Sequence, residues 1–155
     1  MTHPESEARM VDVTAKDVTK REATASCVVV MSQQTRSVVS EGKLQKGDAL
    51  EVARIAGIMA AKKTSDIIPL CHPIAIGGVE VLTEVVERGV EVRATVRTAE
   101  RTGVEMEALV AATTAALTIY DMVKGIERGV EITDVRLEAK SGGRSGEWVR
   151  PASDA

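Results

Sequence analysis

The stretch GVEVLTEVVERGVEVRATVRTAE, residues 78–100, alternates apolar and polar side chains over nearly its whole length. Val79, Val81, Thr83 and Val85 fall on one face, with Glu80 and Glu84 on the other. After Glu87, Arg88 and Gly89 the alternation resumes, with Val90, Val92, Ala94 and Val96 set against Glu91, Arg93 and Arg97. A period of two marks a strand, and two such runs joined by a short turn ending in glycine make a β-hairpin. Only one face is apolar, so the hairpin belongs to an antiparallel sheet covered on one side.

The cover is found to either side. ATASCVVVMS, residues 23–32, is β-branched and apolar, and predicts a buried strand. In LQKGDALE, Asp48 can cap a helix and Glu51 follows three residues later, so ALEVARIAGIMAAKK is expected to be helical to about Lys63. Its small residues Ala53, Ala56, Gly57, Ala60 and Ala61 would let another backbone come close. TSDIIPLCHPI follows as an apolar loop broken by Pro69 and Pro73. After the hairpin, TGVEMEALVAATTAALTIYDMVKG predicts a helix from near Thr102 to Gly125, with Thr102 and Glu105 as a capping box. From Ala108 to Tyr120 it carries no charge, which places its middle in the core. VEITDVRLEAK supplies a final strand. The order β-α-β-β-α-β is the ferredoxin-like α+β arrangement, an antiparallel sheet with two long helices packed on one face. The expected organisation is a mobile tail over residues 1–9, a single domain over 10–146, and a polar C-terminal tail over 147–155.

Composition narrows the function. There is no Phe, one Tyr and one Trp, and the net charge is −3, so neither base stacking nor a global pull on nucleic acid is available. Two cysteines, outside any CxxC pair, make no disulfide framework. The N-terminus is polar, and no apolar run approaches the roughly 20 residues of a membrane span. A cytoplasmic protein without membrane contact is the expectation.

Several charged groups invite a closer look. Asp121 lies in the last turn of the long helix, where the dipole disfavours a carboxylate, and Lys124 is three residues on along the same face. The pair is either an ordinary surface ion pair or a proton donor and acceptor of mutually shifted pKa. Glu105 and Glu107 suit the opposite end of the helix on electrostatic grounds alone. Lys46 stands directly before a helix start, an unfavourable place for a cation unless an anion or carboxylate joins it. KSGGRSG, residues 140–146, is basic and glycine-rich but lacks the P-loop spacing, and reads equally as a flexible tail or an anion grip. His72, between Cys71 and Pro73, belongs to no metal-binding pattern, and a structural histidine is its simplest reading. Asp12, Lys16 and Arg21 fall in a polar segment that alone reads as a solvated arm.

Together MVDVTAK, KGDALEVARIAGIMAAKKTSDIIPLCHP, TGVEMEAL, AALTIYDMVK and KSGG-SG resemble the MoaC family of molybdenum-cofactor biosynthesis, the cyclic pyranopterin monophosphate synthases. The similarity runs from about Met10 to Gly146. It implies a lyase that takes a GTP-derived substrate, 3',8-cyclo-7,8-dihydro-GTP made by a radical SAM GTP cyclase, rearranges it to cyclic pyranopterin monophosphate and releases pyrophosphate. It also implies a hexamer built as a trimer of dimers and no redox cofactor; Mg2+ is compatible with the phosphates but not indicated by any residue pattern. Carried over position by position, Asp121 matches the family's catalytic aspartate, with Lys124 and Lys46 its active-site lysines. Leu70, Cys71 and His72 match substrate contacts, as do Met106 and Glu107, and Asp12, Lys16, Arg21, Glu105 and Lys140 match further polar positions of the pocket. Arg101 and Arg144 stand where the family pattern has lysine, and Ser26 where it has glycine.

Helix geometry adds a constraint. Glu107 and Asp121 are 14 residues apart, roughly 21 Å along a straight helix, too far for one small-molecule pocket of one chain. Active sites at a subunit interface follow if both ends serve one reaction. The competing reading is a non-catalytic oligomeric module that binds a nucleotide effector with the same lysines. An RNA-binding sheet of this topology fails for want of aromatic residues.

Overall fold

The computed structural model describes residues 7–153. Five strands form one antiparallel sheet: β1 (Thr19–Val30), β2 (Ile76–Val86), β3 (Gly89–Glu100), β4 (Glu131–Ser141) and β5 (Trp148–Val149), in the order β2-β3-β1-β4-β5. Four helices accompany it: α1 (Gln33–Ser40), α2 (Ala49–Ala61), α3 (Thr64–Ile67) and α4 (Glu105–Val123). This is the expected ferredoxin-like α+β architecture, with α2 and α4 as the two long helices.

The hairpin forms as its pattern requires. Val86 pairs with Gly89 across the two-residue turn Glu87–Arg88, and the register puts Val79 opposite Val96, Val81 opposite Ala94 and Val85 opposite Val90. Those side chains, with Ala23, Ala25, Cys27 and Val29 of the central strand β1, make the covered face. The open face carries cross-strand ion pairs instead, such as Arg97 with Glu22 at 2.6 Å.

α4 lies across β1, β3 and β4, and α2 packs beside it over β2. Ala108, Ala111, Ala112, Ala115, Ala116 and Ile119 of α4 are fully buried, so the helix meets the sheet through small side chains. Against the expectation that no run approaches a membrane span, α4 is long and apolar enough by length and composition, yet 56% of its apolar window is buried within this fold. The approach of α2 to α4 is closest at Gly57, where an added Cβ would stand 2.9 Å from the Ala111 carbonyl oxygen and 3.1 Å from Val81. The small residues noted in α2 therefore permit a near backbone contact.

Four sequence expectations need correction. β1 starts at Thr19 and not at Ala23: its polar first residues still pair with β3, from Thr19 with Glu100 onward. The long helix starts at Glu105, and no Thr102 capping box forms: the cap position is Val104, without a side-chain hydrogen bond. The Glu105 carboxylate instead folds back over Gly103, into space that a Cβ would fill. The expected C-terminal tail contributes β5, which pairs Trp148 with Lys140 and Val149 with Ala139. Helices α1 and α3 were not foreseen. The expected N-terminal tail lies mostly outside the described residues.

Candidate active site

The two ends of α4 each gather side chains that the sequence marks as candidates for the site. At the C-terminal end, one Asp121 carboxylate oxygen accepts from Lys46 Nζ at 2.9 Å and the other from Lys124 Nζ at 2.9 Å. Lys46 reaches it from the tight turn in which Gly47 N donates to Leu44 O, just ahead of α2. Asp48 then caps α2 by accepting from the backbone N–H groups of Leu50 and Glu51. Asp121 is thus the carboxylate that compensates a lysine placed at a helix N-terminus. All three side chains are about half exposed (52–54%), which leaves them open to a ligand. The Lys46 hydrogen bond, followed by that of Lys124, holds the Asp121 carboxyl below its ordinary value and keeps it ionised.

What fixes this end of the helix was missed in the sequence. Glu127 accepts hydrogen bonds from Thr35 Oγ1 at 2.6 Å, from Ser32 Oγ at 3.0 Å and from Ser32 N at 3.1 Å. Tyr120 Oη donates to Arg128 O at 2.9 Å. The chain leaving α4 is therefore pinned to the start of α1, and Lys124 is held close to Asp121. Ser32 caps α1 by accepting from Thr35 N, and nothing in sequence joins it to a glutamate 95 residues away.

At the N-terminal end, Leu70, Cys71, His72, Glu105 and Met106 come together with Val11 and Lys16 around a cavity of about 380 Å³. Beside it, Lys16, Arg21, Gly143, Arg144 and Ser145 line a second cavity of about 470 Å³. Arg21 follows Lys20 on β1, with Nε donating to Glu100 O at 2.9 Å. A Cβ on Gly143 would collide with its guanidinium, so the glycine loop packs against Arg21 through bare backbone. Lys140, at the base of that loop, bonds Ser145. Asp12 is spent locally, accepting from Thr14 N at 2.9 Å to shape the arm.

Glu107 departs from a simple substrate contact. It is 3% exposed and sits behind Cys71, whose Sγ is 3.6 Å from its Oε1, while its Oε2 has no hydrogen-bond partner among the described residues. That carboxyl lines a small cavity of about 90 Å³ shared with Thr64, Ser65 and His72. Burial pushes the Glu107 carboxyl up, favouring the neutral, proton-bearing form. Burial and the nearby Glu107 likewise push the Cys71 thiol up to about 11. A rise from 9.0 means roughly a hundredfold less thiolate near neutrality. Alkylation of Cys71 by iodoacetamide should accordingly be about a hundredfold slower at pH 8 than that of a free thiol, with the rate still climbing towards pH 11. Full labelling at pH 8 on the timescale of free cysteine would contradict this environment.

The two clusters do not meet within the chain: the continuous helix from Glu105 to Val123 separates them. Among the described residues, no group of His, Cys, Asp and Glu side chains is arranged to hold a metal ion. Comparison with known proteins places the chain clearly. Residues 10–143 match the model of the MoaC family. The chain is 56% identical over 147 residues to a cyclic pyranopterin monophosphate synthase from Nocardioides sp., covering 93% of this chain and 90% of that one. It is 55% identical over 143 residues to the synthase of Streptomyces coelicolor, covering 92% and 84%. A cyclic pyranopterin monophosphate synthase 2 from Mycobacterium tuberculosis is 54% identical over 143 residues, covering 92% and 86%.

Proposed function

The chain belongs to the MoaC family, and on that premise we propose that it is a cyclic pyranopterin monophosphate synthase, a phosphorus-oxygen lyase of molybdenum-cofactor biosynthesis. Its substrate is the cyclised GTP supplied by a radical SAM cyclase, and its products are the cyclic pyranopterin and pyrophosphate. The observation that carries the reading is the Lys46–Asp121–Lys124 cluster. A carboxylate set against the helix dipole, bracketed by two lysines at 2.9 Å each, contributes little as a surface ion pair, yet it is arranged for proton transfer.

Asp121, kept ionised, accepts a proton from a carbon or nitrogen of the opening ring, and the flanking ammonium groups of Lys46 and Lys124 return one to the atoms that gain electrons. Ring closure of the phosphate forms a bond from a sugar hydroxyl to the α-phosphorus and breaks the bond to the β-phosphate oxygen. The hydroxyl proton passes to a base and pyrophosphate departs. Positive charge over the phosphates stabilises that step, and Lys16, Arg21 and Arg144 around the larger cavity, with Lys140 beside it, are the groups placed to supply it. Leu70, His72 and Met106 offer the neighbouring cavity to the base-derived rings.

One active site combines the N-terminal end of α4 from one subunit with the C-terminal end from another. Val52, Ile55 and Met59 form an exposed apolar stripe on α2, and Leu117 is 58% exposed on α4, consistent with a covered helical face in a hexamer of three dimers. The reaction calls for no redox cofactor, and residues 10–146 act as one catalytic unit in the cytoplasm. Supplying the cyclised GTP and following pterin product and pyrophosphate tests the assignment. Stoichiometric release of both supports it; ligand binding without turnover would replace it with a nucleotide-binding module.

A further inference from the structure

The segment ahead of β1, residues 10–17, is neither strand nor helix, and Met10 and Val11 are exposed. It is nevertheless held at two points. His72 Nε2 lies 2.6 Å from Val11 O, and Arg101 Nε donates to Lys16 O at 3.1 Å. A carbonyl only accepts, so the Nε2 atom of His72 carries the proton of that bond. Between the two anchors the arm is shaped by its own turn, with Thr14 N donating to Asp12 Oδ1 at 2.9 Å and Lys16 N to Val13 O at 3.0 Å. The consequence is a fixed place for Lys16, the one side chain common to both cavities at the N-terminal end of α4.

We infer that His72 and Arg101 are positioning residues: they hold the backbone of the 10–17 arm at its two ends and so set the Lys16 ammonium between the ring-binding and phosphate-binding cavities. The proposal rests on the reading of these cavities as the substrate pocket. It gives His72 a role distinct from acid–base chemistry, because its Nε2 is committed to the arm. It also gives Arg101 a role that its charge alone does not describe, since its Nε holds a carbonyl of the arm. Arg101 is itself fixed, its own carbonyl accepting from Arg21 Nη2 at 3.2 Å.

The test uses the full chain and a lysine-specific endoprotease, whose cut at Lys16–Asp17 attacks the carbonyl that Arg101 holds. His72→Phe keeps a ring and removes the donor, whereas His72→Gln can place an amide N–H near the position of Nε2. Loss of one anchoring hydrogen bond should speed cleavage after Lys16 roughly tenfold in His72→Phe at unchanged melting temperature, and His72→Gln should restore most of the protection. Arg101→Met, which keeps the stem and removes the donor, should show the same loss, so the prediction stands even where His72→Phe does not fold. In turnover, Arg101→Met, at a residue outside the linings of both cavities, should raise KM about tenfold with kcat changed less than about threefold. Wild-type protection in both His72→Phe and Arg101→Met would overturn the clasp. So would a His72→Gln variant that is cleaved after Lys16 as fast as His72→Phe. An inactive wild type with a protected arm would instead remove the proposed function and leave the clasp standing.

Discussion

Asp121→Asn is expected to lower kcat by roughly 10²–10⁴-fold, the range lost with one acid–base group, while leaving the fold intact. The amide fills the same space and can still accept from one lysine, so the arrangement of Lys46 and Lys124 is largely kept. What disappears is the ability to take a proton. Stability should hardly change, because half-exposed ion pairs contribute little and this carboxylate opposes the dipole of its own helix. The wild-type pH profile provides an independent check. The folded pKa of Asp121 is depressed, so the carboxylate persists as pH falls and is lost only below the ordinary value of 3.8. Asp121 should therefore produce no acid limb at or above that value. Single-turnover assays of the purified variant, with circular dichroism to confirm folding, decide the matter. A fully active Asp121→Asn would remove the catalytic assignment.

The second large effect concerns folding. Gly89→Ala should destabilise the protein by about 3–5 kcal/mol, a large part of the margin of an ordinary domain. Gly89 closes the hairpin turn at φ +154°, and a Cβ there would lie inside 3.0 Å of the Val29 carbonyl group, a separation that real Cβ atoms essentially never show. Val29 belongs to β1, hydrogen-bonded to β3 on one side and β4 on the other, and Met31 N donates to Arg88 O at 3.0 Å just beyond it. Neither strand can retreat without breaking ladder pairs. Gly129→Ala is the control, since a Cβ there meets nothing within 4 Å. Urea denaturation of the two variants should separate them clearly. Equal midpoints would mean that the central strand yields more easily than its packing implies.

These positions also show how far the sequence could be read. The hairpin was legible because a period of two over residues 79–97 has no competing helical reading, and the pairing of Val81 with Ala94 follows from it. The cap at Asp48 was legible because capping is local: the accepting carboxylate and the donating N–H groups lie within three residues. Local logic misled at Thr102, where Gly103 lets the Glu105 carboxylate fold back and the helix starts later. Helix α1 escaped notice because QQTRSVVS is short and polar, buries only Thr35 and Val39, and is tied to the fold by Glu127, distant in sequence. In the site, the residue types came from motif resemblance, and their grouping came from the fold. That Asp121 joins Lys46 as well as Lys124, that Glu107 is buried behind Cys71, and that His72 holds Val11 are long-range contacts with no periodic signature. The separation of the two ends was the exception, because helix rise converts residue number directly into distance.

That separation is the basis of the central claim, and mixed oligomers test it most directly. Asp121→Asn and Glu107→Ala subunits, each expected to lose turnover alone, are dissociated, combined in equal amounts and reassembled. If each site takes one end of α4 from each of two subunits, random mixing restores both intact ends at about one quarter of the sites, and about a quarter of wild-type turnover should return. Activity that stays at the sum of the separate variants, in oligomers shown to be mixed, would contradict a shared site.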